Sequence, residues 1–197
     1  MTAPLFLFAP GAGAPSTSPW MQAWRDRLAT LGHVVTFDYP YMKAGRRMPD
    51  RAPVLIAAHA EALAQARRAY PAADRLFLIG KSMGARMGCH LALETPVHGV
   101  ICLGYPLISG SSGARRDDVL LALRTPILFV QGTNDQLCPL PQLDLVREKM
   151  QAPNSLFVVP GADHSLEISR AKSQRAAVEA SNDAVLAAIA TFVTDRA

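Results

Sequence analysis

The sequence predicts a three-layer α/β/α fold on one doubly wound, mostly parallel sheet of six strands. Three observations carry that expectation. Short apolar runs alternate along the chain with longer segments whose apolar residues recur at helical spacing. The short runs are continuously apolar rather than alternating, as strands are when helices cover both faces of a sheet. Hydrophobic residues make up 50% of the chain and charged residues 18%, so there is material for a core shared by two helical layers, and disorder is excluded. At the usual ~100–200 residues per domain, the 197 residues make one domain spanning 1–197.

The elements follow in order. Leu5–Ala9 is a strand. Trp20–Leu31 is a helix, with Trp20, Trp24, Leu28 and Leu31 on one side. His33–Tyr39 is β-branched and extended, and Arg51–Tyr70 is an alanine-rich helix. Arg75–Ile79 is a buried strand, followed by the helix Ser82–Thr95 with Met83, Met87 and Leu91 along one face. His98–Leu103 is the fourth strand, Tyr105–Gly113 a Gly/Ser-rich loop with room for a flap but not a lid, and Asp117–Arg124 a short helix. Ile127–Gln131 is a strand introduced by Pro126, Gln142–Met150 a helix, Ser155–Val159 the last strand, and Ala176–Thr194 the final helix.

Charge and composition exclude several classes of function. Lys+Arg is 20 and Asp+Glu 16, but the basic pairs Arg46-Arg47, Arg67-Arg68 and Arg115-Arg116 are scattered, so no nucleic-acid partner is expected. No apolar run approaches the ~20 residues of a membrane span. Leu5–Ala9 lacks the basic flank and length of a signal segment. A cytoplasmic chain with no membrane partner is the expectation. Cys89, Cys102 and Cys138 form no metal-type spacing, and neither a metal nor a cofactor is expected; the first two read as core residues, and Cys138 is left open.

In a doubly wound sheet the ligand crevice lies at the carboxyl ends of the strands. After the third strand comes Gly80-Lys81-Ser82-Met83-Gly84, a G-x-S-x-G between a buried strand and an amphipathic helix. That spelling suits a nucleophile elbow. The serine takes a strained backbone so that its Oγ stands clear of the sheet, and glycines two residues away avoid the neighbouring backbone. The serine needs a base. His33 and His98 start strands and lie at the wrong edge, while His59 and His90 fall inside helices. His164, in Gly161-Ala162-Asp163-His164-Ser165 after the last strand, is the candidate. Asp135, after the fifth strand, is the acid that would orient it. Asp163 adjoins His164 in sequence, where its carboxylate should diverge from the ring. For an oxyanion hole, the backbone N–H of Met83 is one donor. The loop Pro10-Gly11-Ala12-Gly13 supplies the other, Ala12 before Gly13.

That loop has a competing reading. Gly11-Ala12-Gly13-Ala14-Pro15-Ser16 with Asp38 after the second strand resembles the start of a dinucleotide fingerprint. The third glycine is missing, however, and the helix begins too late for its N-terminus to meet a pyrophosphate.

The order Ser82, Asp135, His164 and the stretches around them resemble the α/β-hydrolase superfamily over essentially the whole chain. The closer resemblance is to the branch containing testis-expressed protein 30 and the third subunit of the non-specific lethal complex, whose bacterial members are labelled dienelactone-hydrolase-like. Gly80-Lys81-Ser82-Met83-Gly84-Ala85-Arg86, Gly104-Tyr105-Pro106-Leu107 and Thr125–Gly132 carry it. The resemblance implies a minimal hydrolase sheet without the first two strands of the full superfamily. It supplies no substrate; the intact Ser82, Asp135 and His164 with no inserted lid lead to the expectation of a serine hydrolase acting on a small ester, thioester or lactone. The alternative is a non-catalytic interaction module on the same fold. Tyr105, after the fourth strand, is expected to face the crevice and bind substrate, with Lys81 and Arg86 flanking the serine as hints of an anionic substrate.

Overall fold

The computed structural model describes residues 2–168 and 174–196. Its strands are β1 (Leu5–Ala9), β2 (His33–Thr36), β3 (Leu76–Lys81), β4 (Gly99–Leu103), β5 (Ile127–Gly132) and β6 (Asn154–Val159). They form one sheet in the order β2-β1-β3-β4-β5-β6, parallel at every pairing rather than mostly so. The helices are α1 (Pro19–Leu28), α2 (Pro40–Lys43), α3 (Ala52–Ala69), α4 (Met83–Ala92), α5 (Asp118–Ala122), α6 (Leu140–Arg147) and α7 (Arg175–Thr194).

The four inner strands, β1, β3, β4 and β5, are buried on both faces because alternate residues enter two separate cores. Leu5, Leu7, Leu78, Val100, Cys102 and Phe129 pack with Leu63 and Ala66 of α3, Cys89 of α4 and Leu143 of α6. Phe6, Phe8, Phe77, Ile79, Ile101 and Val130 pack on the other side with Trp24 and Leu28 of α1 and Ile189 and Phe192 of α7. Cys138 is fully buried, so all three thiols are core groups.

The second strand is shorter than its β-branched run. The ladder ends at Thr36, and Pro40, which has no N–H, opens the unforeseen turn of helix α2. Pro141 plays the same part in α6, placing it two residues earlier than the periodicity suggests. At 20 residues α7 is also long and apolar enough to cross a membrane, contrary to the count of apolar runs; here Val185, Ile189, Phe192 and Val193 dock it on the sheet.

From β1 the chain moves outward to β2, then returns to β3 on the opposite side of β1. Strand order therefore reverses between β1 and β3. The loops after those two strands diverge and leave a crevice at their carboxyl ends. The functional candidates gather there.

Candidate active site

Ser82 follows β3 and caps α4 with φ 49° and ψ −112°, a left-handed conformation that a non-glycine residue adopts only under constraint. The constraint is close packing. A Cβ on Gly80 would lie 2.3 Å from the Ala85 nitrogen, and one on Gly84 would lie 2.5 Å from the carbonyl oxygen of Ala9. Both elbow glycines are thus required by contact between backbones, α4 being pressed against its own strand and against the end of β1.

The three predicted side chains form one hydrogen-bonded row. The Ser82 hydroxyl lies 2.8 Å from Nε2 of His164. The Nδ1 of His164 lies 2.7 Å from Oδ2 of Asp135. Asp135 is buried, and its carboxylate also accepts from the backbone N–H of Leu137 at 2.8 Å and from Nε2 of Gln131. An acceptor-only carboxylate at Nδ1 sets the imidazole tautomer, leaving Nε2 free to accept the serine proton. Such a row can deprotonate a hydroxyl as it attacks a carbonyl carbon.

Sequence reasoning missed the groups that hold this row in place. Gln131, fully buried at the end of β5, accepts the Tyr105 backbone N–H at 3.0 Å through Oε1 and donates to Asp135 through Nε2. A glutamine closing an otherwise apolar strand was the available signal. The loop bearing His164 is tied from two sides. Nζ of Lys81 donates to the His164 carbonyl, and the Trp20 indole N–H donates to the Ser165 carbonyl at 2.9 Å. Asp163 closes that loop, accepting the N–H groups of Ser165 and Glu167 through Oδ1.

Tyr105 does not line the crevice. Gly104, with φ 69°, turns the chain beneath the His164 carbonyl, where a Cβ would come within 2.6 Å. Tyr105 is therefore directed into the core, edge-on to Phe129, with its hydroxyl donating to the Arg116 carbonyl at 2.7 Å. Arg86 also lies away from the crevice, on the outer side of α4. Asp38 accepts the Ser16 N–H at 2.6 Å, so its carboxylate braces the loop after β1.

The crevice is a cavity of about 370 Å³. Gly11, Ala12, Gly13, Trp20, Met21, Lys81, Leu137 and Glu167 line it together with Ser82 and His164. The Tyr41 hydroxyl donates to the Ala12 carbonyl at 2.9 Å and so sets the plane of the Ala12–Gly13 peptide. Among the described residues no acceptor takes the N–H of Ala12, Gly13 or Met83, leaving all three able to donate to a ligand.

Lys81 lies over the Trp20 ring at 5.5 Å. Burial pushes its ammonium down from the usual 10.5 to about 8, although the carboxylates of Asp135, Asp163 and Glu167 favour the charged form. With the folded value below the unfolded one, the folded protein binds fewer protons across that window, so stability rises as pH increases through it. Relative to Lys81→Met, the wild type should gain up to about 3 kcal/mol of unfolding free energy between pH 8 and pH 10.5. Urea melts at stepped pH would check this, and a difference that stays flat would show the ammonium to be solvated.

Comparison with known proteins agrees with this architecture. A family model described as an alpha/beta hydrolase domain matches residues 2–194. An alpha-beta serine hydrolase homologue from Coxiella burnetii is 17% identical, with a TM-score of 0.72 over 94% of this chain and 84% of that one. A dienelactone hydrolase from Anabaena variabilis is 18% identical, with a TM-score of 0.72 over 98% and 87%. Est1E from Butyrivibrio proteoclasticus, solved with ferulic acid bound, is 15% identical, with a TM-score of 0.67 over 96% and 90%. At these identities the structural likeness is one of fold.

Proposed function

Because the chain belongs to the alpha/beta hydrolase family, we propose that it is a serine hydrolase cleaving a small ester, thioester or lactone through an acyl-enzyme on Ser82. The observation that carries this reading is the unbroken row from Ser82 Oγ through His164 to Asp135, at 2.8 and 2.7 Å. Ser82 attacks the carbonyl carbon as its proton passes to Nε2 of His164. Asp135 stabilises the imidazolium that forms. The carbonyl oxygen, now negative, is held by the N–H of Met83 and by that of Ala12 or Gly13. The imidazolium returns its proton to the leaving oxygen or sulfur. A water molecule, deprotonated by His164, then releases the acid and restores Ser82.

A cavity of about 370 Å³ suits a small acyl group, and the dienelactone and ferulic-acid enzymes among the structural neighbours support small substrates. The finer placement in the dienelactone-hydrolase-like branch rests on the motif stretches around Ser82, Tyr105 and Gly132. A cytoplasmic location suits three thiols free of disulfides, two of which, Cys89 and Cys102, have their sulfurs 3.9 Å apart in a hydrogen-bond contact.

A fluorophosphonate probe should label the wild type at Ser82, with the adduct located by mass spectrometry. A panel of short acyl esters, thioesters and lactones should then reveal turnover of at least one class. Wild type that is folded by circular dichroism yet neither labelled nor active would favour the non-catalytic module.

A further inference from the structure

A second cavity, of about 220 Å³, lies on the outer side of α4 against the start of α5, lined by Arg86, His90, Arg115, Arg116, Asp118 and Val119. It shares no lining residue with the crevice at Ser82. Its charge is lopsided. Three guanidinium groups face one lining carboxylate, and the nearby Asp117 is already paired with Arg115 at 2.8 Å.

Within this group Arg86 is anomalous. Its Nε is buried without an acceptor, and among the described residues its guanidinium makes no hydrogen bond or ion pair at any nitrogen. Arg75 and Arg196 also have an unpaired Nε, but both donate to backbone carbonyls through their Nη atoms. Arg116 donates to the Ser109 hydroxyl at 3.1 Å. The Arg86 guanidinium is disfavoured by burial and by repulsion from Arg116. Retaining a partly buried charge, its Nε without an acceptor, beside a like charge costs stability unless an anion compensates it.

We propose that this cavity is a binding site for a small oxyanion of the phosphate class, free or as the terminal group of a small molecule. Arg86 forms its floor, and Arg115 and Arg116 form its rim. Guanidinium forks match the oxygens of a tetrahedral oxyanion, and bonds between two charged groups are the strongest of their kind. Three guanidiniums less the Asp118 carboxylate and the Asp117 carboxylate paired with Arg115 leave one positive charge. A phosphate group carries about −1.5 to −2 near neutral pH and offers three acceptor oxygens, so it can meet Arg86 and Arg116 together, where a carboxylate offers only two. His90 reports on occupancy. Burial and the Arg86 charge hold its imidazole below the usual histidine range, and a bound anion would draw a proton back onto it.

The experiment is a titration of the full chain with inorganic phosphate at fixed ionic strength. Heat is followed by calorimetry and the His90 ring protons by NMR, with chloride as the control. Saturable one-to-one binding with a shift at His90 is expected. Arg86→Met and Arg116→Gln should each weaken it by about tenfold or more, while Arg47→Gln, outside the cavity, should leave it unchanged. If Arg86→Met does not fold, the half-buried Arg116 decides the matter. Glycerol phosphate binding more tightly than phosphate would identify the site as one for a terminal phosphoryl group, and equal affinities would identify a free-ion site. No saturation by about 10 mM, or affinity unchanged in Arg116→Gln, would overturn the proposal.

Discussion

Replacing Ser82 with alanine is expected to abolish fluorophosphonate labelling and to lower turnover of the accepted substrate by about a million-fold. His164→Ala should cost nearly as much, and the double variant no more than either alone, because a hydroxyl without its base and a base without its hydroxyl are equally unable to form the acyl bond. Asp135→Asn should lose about ten-thousand-fold. It preserves the packing but presents an amide beside Nδ1, and so favours the wrong tautomer. Residual rate in each case would come from oxyanion donors and binding. The measurement is kcat with a chromogenic short-chain ester, normalised to active protein by thermal unfolding. Additive losses in the double variant would show that the two residues do not act as a unit.

Gly84→Val is expected to destabilise the protein by about 3 kcal/mol or more and to give little soluble product. The new Cβ would sit 2.5 Å from the Ala9 carbonyl oxygen and 2.6 Å from that of Pro10. Those atoms are backbone, so relief requires moving α4 off β1, and both elements are part of the core. Gly13→Ala is the matched control. A Cβ there meets nothing within 4 Å, so its melting temperature should equal that of the wild type. If Gly84→Val melted like the wild type, the close approach of α4 to the end of β1 would be wrong, and with it the explanation of the Ser82 backbone.

The sequence disclosed whatever depends on a residue's immediate neighbours. Continuous apolar runs marked buried strands because, in a sheet covered on both faces, every residue of a strand faces a core. The elbow was legible because its two glycines answer a local steric demand within five residues. Asp135 and His164 could be found because each follows a strand directly, and the carboxyl ends of parallel strands share one edge.

Tyr105 shows where such reasoning stops. It too follows a strand, but Gly104, with its positive φ, turns the side chain into the core. Only its backbone N–H serves the site, through Gln131.

What the sequence determined by itself was therefore the three-layer α/β architecture and the residues eligible for the site. Tertiary structure alone decided which groups hold them in register. Lys81 meets the His164 carbonyl across 83 residues of chain, and Trp20 meets the Ser165 carbonyl across 145. The same holds for the unpartnered charge of Arg86, whose neighbours Arg115 and Arg116 arrive from the segment after β4. Periodicity and motif describe a residue's relation to its own strand or helix. A buried polar group must find its partner wherever the packed chain brings one, and that place carries no one-dimensional signature.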